Sequence, residues 1–237
     1  MQLRRYAKRV YRNFATSIES QDLVDDLSGS PEHREILKGI FYSTKERPLK
    51  GPLERVLEKS EDQIIQEEID AKFRPKRWFA SRYSDGSWAV LYAAESEETA
   101  LREVLFHLMQ FYREELAEGP VSVQRRVLSL KAKTERAVDL SQESGLDAAK
   151  LVSQDESGYP YCHGLARQAL KLEAQLLRTP SARHEGGFCT PIFDKAAVAK
   201  DEGHLKYLRC TLYADGRAQV TTVTEGQPQE YRVVSPS

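Results

Sequence analysis

The chain has 237 residues, 35 of them basic and 36 acidic, for a net charge of −1. At 40% hydrophobic and 30% charged residues it can bury a core under a solvated surface, which excludes disorder of the whole chain. The charge balance excludes a broadly basic, phosphate-binding surface, and with it general nucleic-acid binding. The longest apolar run, 88–94, has seven residues, whereas a membrane-spanning helix needs about 20, so no span and no membrane partner are expected. Arg4, Arg5, Lys8, Arg9 and Arg12 precede no apolar stretch, so they do not read as a secretory signal. Cys162, Cys189 and Cys210, without C-x-x-C spacing, argue against a disulfide framework and a zinc site. A reduced, cytoplasmic protein is expected.

Taken in chain order, residues 1–70 read as mostly helical. Ser17 and Ser30-Pro31-Glu32 look like helix starts, the latter with proline at the first helical position. The prolines and glycine of 47–52 mark a loop. Residues 54–70 carry Val56, Leu57, Ile64, Ile65 and Ile69 at helical spacing. A short strand is predicted at 73–78, a turn at Ser84-Asp85-Gly86-Ser87, and a buried strand at 88–94. Ser96 is a good N-cap for a helix with the apolar face Ala100, Val104, Leu105, Leu108, Met109 and Tyr112, ending near Gly119.

Beyond it, strands are predicted at 121–130 and 136–139, and a small helix at 146–151. A second amphipathic helix follows at 164–177, then a loop at 179–187 and a strand at 189–193. Residues 205–213 and 218–223 flank Asp215-Gly216 and read as a hairpin. Strands and helices mix with antiparallel connections, which points to the α+β class.

Common enzyme templates are absent: there is no G-x-x-x-x-G-K, G-x-G-x-x-G or G-x-S-x-G. The histidines at 33, 107, 163, 184 and 204 show no H-x-x-x-H spacing, so no metal is expected. Cys162-His163 is not a catalytic pair by adjacency, because successive helical side chains diverge by roughly 100°. Glu103 is the odd residue. It sits beside the apolar stripe of its helix, near Ala100, Val104 and His107, where a carboxylate should be paired or functional.

The stretch from Arg82-Tyr83 through Val90-Leu91-Tyr92-Ala93-Ala94 to Thr99-Ala100-Leu101-Arg102-Glu103 resembles the RES family, named for an Arg, a Glu and a Ser. The downstream Pro180-Ser181-Ala182-Arg183, followed by Gly186-Gly187, matches that family's P-S-x-R loop. The resemblance covers about residues 70–215. It implies an ADP-ribosyltransferase-like mixed β core with flanking helices. The chain then divides into a helical N-terminal extension, 1–70, and a RES catalytic domain, 71–237. An earlier family arginine has no secure match, the candidates being Arg47, Arg55, Arg74 and Arg77.

The resemblance implies a toxin of a toxin–antitoxin pair, with NAD as substrate. The expected reaction cleaves the nicotinamide–ribose bond, with inorganic phosphate or water as acceptor. ADP-ribose transfer to a protein is the second enzymatic reading, and a non-catalytic antitoxin-binding subunit is the third. The implied partner is an Xre-type helix-turn-helix antitoxin, with operator DNA reached only through it; a homodimer is an assembly the family allows. The residue types suit this chemistry. Arg82 and Arg183 can hold a pyrophosphate. Ser181 can bond a phosphate or ribose. Tyr92 can stack on the cationic nicotinamide ring. Glu103 can stabilise the positive charge that develops on the ribose.

Overall fold

The structure, a computed structural model, describes residues 1–15, 60–74, 78–115, 119–222 and 227–233. Its spine is one long strand, β5 (Val121–Asp139). Sequence reading splits this strand in two at its charged middle. The residues between continue the alternation, however, with Ala132 and Thr134 buried and Lys133 and Glu135 exposed. Along one edge β5 pairs antiparallel with β1 (Leu3–Ala15) over nearly its whole length.

The strand β1 corrects the helical reading of the N-terminal segment. Tyr6, Val10 and Phe14 are all buried. Their spacing of four fits a helical face and one face of a strand equally well. The long partner edge of β5 decides between them. The expected helix starts at Ser17 and Ser30 and the loop at 47–52 lie outside the described residues.

Helix α1 (Glu61–Phe73) begins at the N-cap Ser60 with a reciprocal capping box to Gln63. It runs to Phe73, the first residue of the strand expected at 73–78; residues 75–77 of that expected strand lie outside the described residues. A minimal hairpin follows, β2 (Ala80–Ser81) and β3 (Ser84–Asp85), with Arg82 and Tyr83 in its turn. The expected strand at 88–94 is shorter, β4 (Leu91–Ala94). Helix α2 (Glu97–Glu115) starts as predicted, with the Thr99 amide donating to Ser96 Oγ at 3.1 Å.

The later elements are α3 (Ala148–Leu151), α4 (Tyr159–Lys171), β6 (Leu176–Pro180), β7 (Phe188–Ile192), β8 (Val198–Leu212), β9 (Arg217–Thr222) and β10 (Gln229–Arg232). The helix expected over 164–177 starts earlier, with Pro160 in its first turn, and stops at Lys171. Glu173 has φ 56° and turns the chain into β6. Leu165, Leu172 and Leu176 hold a helical phase through that turn, so periodicity alone misses the break. The hairpin around Asp215-Gly216 is present, with Gly216 at φ 84°, and β10 extends it.

Eight strands join in one mixed sheet, ordered β1-β4-β7-β6-β5-β8-β9-β10, with β1 also on β5. The pairs are antiparallel except β5–β6. Because β5 holds β1 on one edge and β6 on the other, β1, β4, β7, β6 and β5 close into a ring. With its flanking helices this is an α+β fold. The apolar face of α2, including Leu105, Leu108, Met109 and Tyr112, packs on β5, β8 and β9. Tyr6, Val10, Phe14, Leu128, Leu176 and Ile192 fill the ring with Ile65 and Ile69 of α1. The helix α4 covers Val138 and Leu177. Among the described residues no helix is long and apolar enough to cross a membrane.

The ring has one thin seam. β1 and β4 share a single register pair, Tyr11 with Ala94. Arg12 reinforces it: Nη1 donates to the Tyr92 carbonyl at 3.0 Å, and Nε to Glu68 Oε1 of α1 at 2.7 Å. Both partners of this ion pair are buried. Removing one partner of a buried pair leaves an uncompensated charge, at a cost of about 3–5 kcal/mol. Glu68→Ala is therefore expected to lower the unfolding free energy by about 3 kcal/mol or more, read from urea denaturation.

Candidate active site

A cleft of about 120 Å³ opens beside that seam. Its walls come from the end of β1, the hairpin turn, β4, α2, Tyr159 of α4 and the loop after β6. Glu103 stands in it, two helical turns into α2. Its Oε1 accepts from Ser181 Oγ at 2.5 Å, from the Ala182 amide at 3.1 Å and from Cys189 Sγ at 3.4 Å. Oε2 has no hydrogen-bond partner among the described residues. One oxygen is thus fixed by the loop and the other remains available to a ligand. Burial, reinforced by the Glu103 carboxylate, pushes the Cys189 thiol well above its usual range. The thiol therefore stays protonated and donates.

Ser181 does more than touch Glu103. Its Oγ accepts from the amides of Arg183 and His184, at 3.1 and 3.0 Å, and so folds the loop around itself. At the far end of the loop, His184 Nδ1 lies 2.8 Å from Thr99 Oγ1, which is itself 2.7 Å from Ser96 Oγ. The loop is therefore pinned to α2 at both Thr99 and Glu103. Gly187 makes this approach feasible: a Cβ there would lie 2.6 Å from Thr99 Oγ1 and 2.8 Å from His184 Nδ1.

The hairpin turn presents Arg82. Its Nη1 donates to the Leu151 carbonyl at 3.2 Å and to Ser153 Oγ at 3.1 Å, and Nη2 to the Ser153 carbonyl at 2.7 Å. These three bonds hold the guanidinium against the 151–153 segment at the margin of the cleft. The Arg82 Cζ lies 5.1 Å from the centroid of the Tyr159 ring. Tyr92 locks the turn from β4: its hydroxyl accepts from the Tyr83 amide at 2.8 Å and lies 2.8 Å from Ser81 Oγ. His163 Nε2 donates to the Ser81 carbonyl at 2.7 Å, so this histidine anchors the turn from α4. Its neighbour Cys162 is buried against the Lys150 carbonyl, as packing rather than as a nucleophile.

Of the expected site residues, Arg82, Tyr92, Glu103 and Ser181 therefore meet. Arg183 does not. It is a neighbour of the cleft in sequence, but its guanidinium lies over the Phe106 ring, with Cζ 3.4 Å from the centroid, and bonds the side chain and carbonyl of Gln154. Sequence reading also misses Arg12, Tyr159 and His107, all of which line the cleft. Arg12 is the arginine that reaches the cleft from an earlier strand. Arg74 instead ends α1, where its amide caps the Asp70 carbonyl. Arg47, Arg55 and Arg77 lie outside the described residues. The available signal for Arg12 was its even spacing from Tyr6, Val10 and Phe14, which puts it on their strand. Among the described residues no group of three or more metal-ligating side chains stands together.

The model of the RES domain family matches residues 52–212, more than half of the chain. The chain belongs to the RES domain family. The two RES motifs are thus the two sides of one contact, the helix of Glu103 against the loop of Ser181. A solved structure, the M. tuberculosis MbcT–MbcA toxin–antitoxin complex, is similar over 90% of this chain and 87% of that chain. The identity is 14% and the TM-score 0.45. No curated protein matches the chain.

His107, one helical turn beyond Glu103, is pushed down to about 4 by burial, with Arg183 and Arg82 adding to the effect of burial and Glu103 opposing it. The imidazole is neutral at pH 7. In the unfolded chain it protonates near 6.5, so its contribution to stability is full above that value. The contribution is lost progressively as pH falls toward about 4. NMR titration of His107 is expected to give a midpoint near about 4, with stability falling between pH 6.5 and that value.

Proposed function

We propose that this RES domain cleaves the nicotinamide–ribose bond of NAD and serves as the toxin of a toxin–antitoxin pair. The observation that carries the reading is Glu103, with one carboxylate oxygen fixed by the loop and the other unpartnered among the described residues, in a cleft shared with Arg82 and Tyr92. Family membership supports the substrate class, and the residue chemistry supports the same choice independently.

As the C–N bond breaks, its electron pair leaves with nicotinamide and neutralises that ring. Positive charge develops on the ribose carbon and its ring oxygen. A fixed carboxylate stabilises that charge without reorganising, and Glu103 Oε2 is the group placed to do so. The guanidinium of Arg82 suits a phosphate oxygen, and the ring of Tyr92 suits the flat pyridinium. The hydroxyl of Tyr92 is already committed to the hairpin turn, so the ring face is what it offers. Water or inorganic phosphate then forms the new bond to carbon and releases a proton to solvent, giving ADP-ribose or its 1-phosphate.

Ser181 takes a different role from the one its residue type first suggests. Its hydroxyl proton points at Glu103, so it positions the carboxylate rather than binding phosphate directly. An Xre-type antitoxin in the cytoplasm, with operator DNA reached through it, completes the reading, with a homodimer as the toxin's own assembly.

Incubating the purified protein with NAD, with and without phosphate, tests this. Loss of NAD with release of nicotinamide is expected, and its dependence on phosphate identifies the acceptor. Transfer of label to protein would identify ADP-ribosylation instead, and no turnover by the folded protein would leave only an antitoxin-binding role. Glu103→Gln is expected to slow nicotinamide release by about a hundredfold or more while leaving antitoxin binding intact.

A further inference from the structure

The loop that fixes Glu103 has a second face, and that face borders a second cleft of about 510 Å³. Pro180 and Ala182 line both clefts, so the two are separated by little more than the thickness of the chain. Arg183 lies here. Its Nε is buried without a hydrogen-bond partner among the described residues. Arg232, at the end of β10, is exposed, and its side chain makes no hydrogen bond or ion pair among the described residues. Arg102 also borders the cleft but is neutralised by Glu98 at 2.6 Å. Against the two remaining guanidinium groups the lining holds a single carboxylate, Glu185.

The charge of the first cleft differs. Arg12 is neutralised by Glu68, which leaves Arg82 facing the Glu103 carboxylate. A dinucleotide carries two phosphates, and the first cleft provides one guanidinium, Arg82, that is in no ion pair among the described residues. The excess positive charge lies across the loop. Guanidinium groups suit phosphate through paired donors; Phe106 is buried under Arg183, and the half-buried Tyr231 is the aromatic side chain that borders the cleft beside Arg232.

We propose that the second cleft binds the adenylate half of the substrate, so that the dinucleotide bends over Pro180–Ala182 with its nicotinamide end at Glu103. The proposal rests on the NAD reading above. It makes Arg183 and Arg232 the determinants that separate a dinucleotide from a mononucleotide substrate. It also gives Arg183 a phosphate-binding role outside the cleft of Glu103.

Two measurements on the full chain test it. The first is the affinity of ADP, by calorimetry, for the native protein and for Arg232→Glu, an exposed position whose replacement leaves the core untouched. The second is KM for NAD and for nicotinamide mononucleotide, which keeps the scissile bond and one phosphate but lacks the adenylate. A charge-assisted hydrogen bond accounts for a factor of about ten. ADP is therefore expected to compete with NAD and to bind about tenfold more weakly to Arg232→Glu. In the same variant KM for NAD is expected to rise about tenfold, with KM for the mononucleotide within about twofold of native. An unchanged ADP affinity, or an equal rise in both KM values, would overturn the proposal. If neither substrate is cleaved by the native protein, the NAD reading fails, and the ADP titration alone still decides the second cleft.

Discussion

A carboxylate wedged between a helix and a loop is stable only if its charge is met. Here the charge of Glu103 is met on one side, by a hydroxyl, an amide and a thiol converging on Oε1. The loop is also held by Arg183 on Gln154, by Gln154 Nε2 donating to the Ala182 carbonyl at 2.8 Å, and by His184 against Thr99. Its own backbone bonds are the Ser181 amide to the Gly187 carbonyl and the Gly187 amide to the His184 carbonyl, each 2.9 Å. Glu103 is thus one of several ties on a loop held from both sides, and that loop orients the carboxylate. The arrangement leaves Oε2 open, and a fixed, half-satisfied carboxylate is the state in which added positive charge is most strongly stabilised.

The rest of the fold brings these two segments together. β4 leads into α2 and pairs with β7, and β7 pairs with β6, so both motifs issue from adjacent strands. The ring closed by β1 and β5 sets their spacing. Its one thin seam, at Tyr11 and Ala94, is where the cleft opens. The Arg12–Glu68 pair bridges that seam from the side of α1. A long ladder there would leave no room for a ligand, whereas a guanidinium holds the strands while keeping the gap.

Much of this is legible in the sequence, and the limits have physical causes. The helix of Glu103 is readable because its N-cap and apolar stripe agree. Glu103 stands out because a charge beside such a stripe needs a partner. The turn of Arg82 and the loop of Ser181 are readable from their short motifs. The strand β1 is not, because Tyr6, Val10 and Phe14 satisfy two periodicities at once, and its partner is more than a hundred residues away in the chain. Arg12 is lost with it. The end of α4 is hidden for a similar reason, since Leu176 keeps the helical phase after the helix has stopped. Arg183 points away from the cleft of Glu103 because a motif fixes backbone position and not the direction of a long side chain. The network of Thr99 and His184 carries no local signal, since it joins a helix N-terminus to a distant loop.

The central claim is that the Ser181 hydroxyl acts through the Glu103 carboxylate. The direct test compares the cost of Ser181→Ala in two backgrounds, by single-turnover NAD cleavage. In the native chain the loss of a hydrogen bond to a charged group is expected to slow cleavage about tenfold. In Glu103→Asp, whose shorter side chain no longer reaches the loop, the same substitution is expected to slow it by less than about twofold. An equal slowing in both backgrounds would show that Ser181 acts on the substrate independently, and would contradict the account.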